Sequence, residues 1–100
     1  MLLSIVIVSW NCQEELSSCV DSLLQHPYSG EQEIIVVDND SRDGTVPALS
    51  ERFPRVRVIQ TGANLGFGRA ANFGLRQARG DVLLVLNPDT VVPQGALDAA

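Results

Sequence analysis

Four short polar clusters carry residue types able to bind or activate a substrate, and each follows directly on an apolar run. Ser9-Trp10-Asn11 follows Leu2–Val8, and Asp38-Asn39-Asp40-Ser41 follows Glu33–Val37. Thr61–Phe67 follows Arg55–Gln60, and Asn87-Pro88-Asp89-Thr90 follows Val82–Leu86. A carboxylate at the last position of a strand, as at Asp38, can accept from a ribose hydroxyl or a base N–H. The same Asx-rich stretch is also ordinary chemistry for a strand-to-helix turn, Ser41 and Asp43 above all. Asp89 follows a run of apolar residues read as buried. An unpaired carboxylate is costly to bury, so it should lie in a cleft at the sheet edge. One carboxylate combined with substrate phosphates suits Mg²⁺ or Mn²⁺; the other reading is a Pro-Asp turn whose acid caps the next helix. Trp10 could stack on a base or serve as a core or lid-contact aromatic.

Some patterns carry less. Gly66-Phe67-Gly68-Arg69-Ala70-Ala71 matches G-x-G-x-x-A, but it follows the third apolar run. The dinucleotide fingerprint belongs in the first strand-to-helix turn, which has no glycine here. These glycines read instead as a loop turning tightly into a helix. His26 stands alone before Pro27 and is assigned no chemistry. There is no Ser-His-Asp set, no zinc-ligand spacing and no lysine-bearing P-loop.

Elements that would position the four clusters follow from periodicity. Leu2–Val8 is a continuous Ile- and Val-rich stretch, the pattern of a strand buried on both faces. Asn11 offers a helix N-cap with Glu14 three residues on, as in a capping box. Cys12, Leu16, Cys19, Val20, Leu23 and Leu24 then recur at helical spacing. Glu33–Val37 reads as a second strand. Val46, Leu49 and Phe53 predict a short helix that tolerates Pro47 in its first turn and stops at Pro54. Arg55–Gln60 reads as a third strand and Thr61–Gly68 as loop. Ala70, Ala71, Gly74, Leu75 and Ala78 form a small-residue helix face, with Gly74 allowing close approach to the sheet. Val82–Leu86 is a fourth strand, and Pro93 could open a last helix through Leu97.

Strands alternating with helices imply an α/β fold: a Rossmann-like, doubly wound, mostly parallel sheet of about four strands with helices on both faces. In such sheets ligands lie beyond the carboxyl ends of the strands, where all four polar clusters fall.

Composition narrows the function. One hundred residues make one domain, 1–100. Twelve acidic residues against seven basic ones, all arginine, give a net charge of −5, which excludes nucleic acid as a partner on bulk charge. No apolar run reaches the ~18 residues of a membrane span. No basic segment precedes Leu2–Val8, so it is not read as a secretory signal. Cys12 and Cys19 would lie roughly 10.5 Å apart along a helix, beyond the ~7 Å Cα limit for a disulfide. They are read as reduced packing residues of a cytosolic protein.

Taken together, "LSIVIVSWN", "EIIVVDNDSRDGT" and "NLGFGRAANFGLRQARGDVLLVLNPDT" resemble the nucleotide-sugar half of the family 2 glycosyltransferases, with their GT-A fold, over essentially the whole chain. The "VDN" and "LNPDT" variants are most similar to the rhamnosyltransferase-like branch. The resemblance implies metal-dependent, inverting transfer of a sugar from a UDP- or dTDP-linked donor to a saccharide or lipid-linked acceptor in cell-surface polysaccharide biosynthesis. Ser9 and Trp10 would border the base. Asp38, Asn39 and Asp40 would bind base and ribose. Asn64, Leu65, Gly66 and Phe67 would lie along the nucleotide and sugar. Asn87-Pro88-Asp89 stands at the family's D-x-D: Asp89 matches the last acid, the metal ligand. Asn87 departs from the first and is as well suited to sugar or ribose. Arg69 is the nearest protein cation, or else a solvated helix residue.

The family's general base comes after the D-x-D, so it is expected after Ala100. The 100 residues are then the donor-binding half of a longer enzyme, cytoplasmic and membrane-associated only through other segments, and inactive alone. Apolar surface left exposed could drive self-association. The alternative is a non-catalytic nucleotide-binding or interaction module of the same fold. A nucleotidyltransferase would need a Gly-rich basic loop after the first strand, and Ser9-Trp10-Asn11-Cys12 is nothing like it.

Overall fold

The computed structural model describes residues 1–99; Ala100, the last residue of the expected domain, lies outside the described residues. Strands β1 (Leu2–Ser9), β2 (Glu31–Asp38), β3 (Arg57–Gln60) and β4 (Val82–Leu86) alternate with helices α1 (Gln13–Gln25), α2 (Thr45–Arg52), α3 (Phe67–Gln77) and α4 (Ala96–Ala99). All pairings are parallel and the order is β3-β2-β1-β4. The α/β, doubly wound expectation holds.

The order follows from the crossovers. The first two βαβ units step the same way, so α1 and α2 share a face. There Leu16, Cys19, Val20, Leu23, Leu49 and Phe53 pack on Ile5, Ile7, Ile34 and Val36. The third crossover returns past β1 on the opposite face, where Ala70 and Ala71 of α3 cover Val6, Val8, Ile35 and Val37. Gly74 lets α3 sit close to the sheet: a Cβ there would lie 2.7 Å from both Val6 and Val37 side chains. The sheet's path therefore reverses between β1 and β4, and the crevice expected at such a switch point opens at their carboxyl ends.

At the amino ends, Glu33 ties several segments together. It accepts from the Ser4 hydroxyl at 2.5 Å and the Arg79 amide at 2.7 Å, and its other oxygen meets Arg57 at 3.2 Å. Burial pushes this carboxyl up, but these donors outweigh it and hold it below its ordinary value.

Several local expectations are corrected. Asn11 is not the N-cap of α1; it takes a left-handed conformation (φ 48°) one residue earlier, and Cys12 precedes the helix with no side-chain cap. β3 begins at Arg57, not Arg55, because 54–56 form a turn. α3 begins at Phe67, inside the expected loop, since Gly66 (φ 80°) supplies the turn. The last helix begins at Ala96, not Pro93. β4 is not buried on both faces: it is an edge strand beyond the reach of α3, leaving Val82, Leu83 and Val85 exposed. Both cysteines are free. Among the described residues no helix is long and apolar enough to cross a membrane.

Candidate nucleotide-sugar site

The four polar strand ends meet at one rim. A hollow of about 330 Å³ is lined by Val8, Trp10, Cys12, Asn39, Asn64, Gly66, Phe67 and Pro88, drawing on the ends of β1, β2 and β4 and on the loop into α3. A larger groove of about 510 Å³ lies at the other end of the sheet, around Arg52–Arg57, and holds none of these clusters. Trp10 and Phe67 keep 54% and 53% of their surface exposed, so Trp10 is not a core aromatic. Two uncovered rings beside amide side chains suit a flat, hydrogen-bonding ligand.

The loops are held by polar side chains. Asp38 is 2% exposed, and its two carboxylate oxygens accept from the Ser41 amide at 2.9 Å and the Ser41 hydroxyl at 2.6 Å. Ser41 Oγ in turn accepts from the Asn11 amide at 2.9 Å, and Asn11 Oδ1 accepts from the Arg42 amide at 2.7 Å. The β1–α1 and β2–α2 loops are thereby zipped together. Left-handed Asn11 and Asp40 (φ 70°) make the turns that allow it. Asp40 pairs with exposed Arg42 at 3.2 Å.

Asn39 is 3% exposed and spans the gap to the next loop. Its Nδ2 donates to Asn64 Oδ1 at 3.1 Å and to the Gly66 carbonyl at 3.3 Å. Its Oδ1 accepts from the Leu65 amide at 2.8 Å and from Thr61 Oγ1 at 3.4 Å.

The hollow gathers Trp10, Asn39, Asn64, Gly66 and Phe67. The other expected residues lie around it. Ser9 is fully buried, its hydroxyl against Cys12 Sγ at 3.4 Å. Asp38 and Asp40 face their turn partners. Asn87 and Asp89 are exposed on either side of Pro88, which lines the hollow. Arg69 lies in a separate shallow cleft with Leu65, Asn72, Phe73 and Arg76. Cys12 was read only as packing, yet it lines the hollow; its place three residues past Ser9, in the first strand-to-helix loop, was the available signal.

Whether a divalent ion fits rests on Asp89. No group of three or more His, Cys, Asp or Glu side chains able to hold a metal occurs among the described residues. Asp89 is exposed, and no side-chain hydrogen bond or ion pair among the described residues engages its carboxylate. This suits an ion held by one protein carboxylate and ligand phosphates, and does not suit an all-protein cage.

Such a sheet, with its crevice at the β1/β4 switch point, makes this a doubly wound α/β protein, a class that takes ligands at that point. Residues 4–99 match the Glycosyl transferase family 2, and the chain belongs to that family. It is 39% identical over 77 residues to the N-acetylglucosaminyl-diphospho-decaprenol L-rhamnosyltransferase of Mycobacterium tuberculosis, covering 66% of this chain and 25% of that protein. It also resembles TarS 1-349 of S. aureus in complex with UDP-GlcNAc, with a TM-score of 0.88 and 25% identity, over 99% of this chain and 30% of that one. The mannosyltransferase PcManGT from Pyrobaculum calidifontis, in complex with GDP-Man and Mn²⁺, shares the fold at a TM-score of 0.80 and 24% identity, over 91% and 28%. The chain thus spans between a quarter and a third of the length of these proteins.

Proposed function

We propose that this chain is the donor-binding domain of a glycosyltransferase, taking a UDP- or dTDP-linked sugar into the hollow at the β1/β4 switch point. The observation that carries this reading is the convergence of Trp10, Asn39, Asn64, Gly66, Phe67 and Pro88 on one cavity in a family 2 chain. Trp10 and Phe67 offer aromatic surface to the base. Ser9, Asp38 and Asp40 shape the base and ribose end, and Asn64, Gly66 and Asn87 lie toward the sugar. Asp89 would hold Mg²⁺ or Mn²⁺ together with the donor's phosphates.

The chemistry follows from charge. As the glycosidic bond breaks, negative charge builds on the departing nucleoside diphosphate. When bound, a divalent ion supplies positive charge that the residues lining the hollow lack. Inverting transfer to a saccharide or lipid-linked hydroxyl requires a general base, which we place beyond residue 100, in the cytoplasmic portion of a longer enzyme.

Trp10 is the chain's single tryptophan, so its fluorescence reads the site directly. Titration with UDP or dTDP in the presence of Mn²⁺ should quench it saturably. Absence of any fluorescence change or binding heat with these nucleotides would reject the reading.

A further inference from the structure

We infer that Asn39 acts in this site as a positioning residue, holding the loop from Thr61 to Gly66 in place as a wall of the hollow; the inference rests on the donor-site reading. Asn39 stands among the strand-end groups expected to touch base and ribose, yet its carboxamide is spent within the protein. Both ends of the amide are occupied by Thr61, Asn64, Leu65 and Gly66, and almost none of the residue meets solvent. A side chain with four internal partners has little left for a ligand.

The direction of these bonds makes the amide specific. Asn64 Oδ1 already accepts from the Gly66 amide at 2.9 Å, which fixes it as an acceptor toward Asn39. The Gly66 carbonyl is an acceptor as well. Position 39 must therefore donate on one side and accept from the Leu65 amide on the other. At neutral pH only a carboxamide of this length does both. A carboxylate would turn two acceptors against it. The loop so held carries Asn64 and Gly66 into the hollow and sets the start of α3, hence the place of Phe67. Asn39 is itself anchored, because its amide donates to the Ser9 carbonyl at 2.8 Å. The end of β1, the end of β2 and the loop into α3 are in this way one connected frame.

The test uses Asn39→Asp, Asn64→Ala and the double variant, with UDP and Mn²⁺ as probe and each affinity taken relative to wild type at the same pH. Asn39→Asp should bind at least tenfold more weakly at pH 8 and recover to within about threefold at pH 5, where the introduced carboxyl, pushed up by burial and by the two oxygens it faces, takes up a proton and regains one donor. The double variant should be no weaker than the weaker single variant, because both act through one bond network. Hydrogen exchange at the Leu65 and Gly66 amides, measured without ligand, should quicken in both single variants. Wild-type affinity for Asn39→Asp at pH 8, a loss equal at every pH, or unchanged exchange at both amides would overturn the assignment. If Asn39→Asp does not fold, exposed Asn64→Ala decides by the Leu65 amide, which donates to Asn39 and not to Asn64. A wild-type chain that binds no nucleotide overturns the donor-site reading, and the amide exchange then still decides whether Asn39 holds the loop.

Discussion

The Asp43 carboxylate accepts from the backbone amide of Gln13, 3.2 Å away across thirty residues of sequence. It thereby serves the first turn of α1, which has no side-chain cap of its own. Its other oxygen accepts from the amide of Thr45 at 3.1 Å and from the Thr45 hydroxyl, at the start of α2. One exposed acid caps two helices.

Asp43→Ala should consequently cost more than a single cap, about 1–2 kcal/mol. The Thr45 hydroxyl foremost, with the Gln13 and Thr45 amides, holds this carboxyl below its ordinary value despite some burial. The stabilisation is present in full above the unfolded carboxyl's pKa and fades as pH falls through the lowered one. Urea unfolding at pH 7 and pH 3 should show a smaller deficit at the second; equal deficits would contradict the capping role.

Glu33 offers a similar test at the far end of the sheet. Its pKa is lowered, so its contribution is complete above about pH 4.5 and is lost as acid protonates it. Glu33→Gln should destabilise the chain by about 1–3 kcal/mol at neutral pH, the cost of weakening charge-assisted bonds to Ser4, Arg79 and Arg57. The gap to wild type should close toward pH 3. A pH-independent gap would mean that packing, not the charge, is what Glu33 supplies.

The two thiols should differ in reactivity. Burial first, then the charges of Asp89 and Cys12, push the Cys19 thiol up to about 11. Cys12 is half-buried and lines the hollow. Iodoacetamide at pH 8 should therefore label Cys12 in the native chain and spare Cys19, and UDP with Mn²⁺ should slow that labelling. Peptide mass spectrometry finding both thiols alkylated at similar rates would refute the first point.

Asp89→Asn should abolish the Mn²⁺ dependence of nucleotide binding and lower affinity in Mn²⁺ about tenfold, roughly 1.4 kcal/mol. The residue is exposed, so unfolding free energy should change by no more than about 0.5 kcal/mol. Calorimetry with and without the metal makes the comparison. Retained metal dependence would remove Asp89 from the site.

Much of the architecture was readable along the chain, because strand and helix periods are local properties. The Ile- and Val-rich run of β1, the small-residue face Ala70-Ala71-Gly74 of α3 and the alternation of elements led to a parallel α/β sheet and to the rim where polar clusters had to gather. Other features depend on groups brought together from distant parts of the chain. Asn11 had the composition of a helix cap, but Asp43 reaches the α1 terminus from another loop and leaves Asn11 to pair with Ser41 and Arg42. The apolar run of β4 signalled a strand, yet only the sheet order made it an edge. Asp38 and Asn39 read as ligand contacts ahead of turn chemistry, which fell mainly to Ser41 and Asp43. Their carboxylate and amide are taken up by Ser41 and by the 61–66 loop, partners set by chain packing rather than by local spacing. Hydrophobic pattern settles which segments become strands or helices, since it acts within a few residues; the direction of each polar side chain waits for neighbours that folding alone supplies.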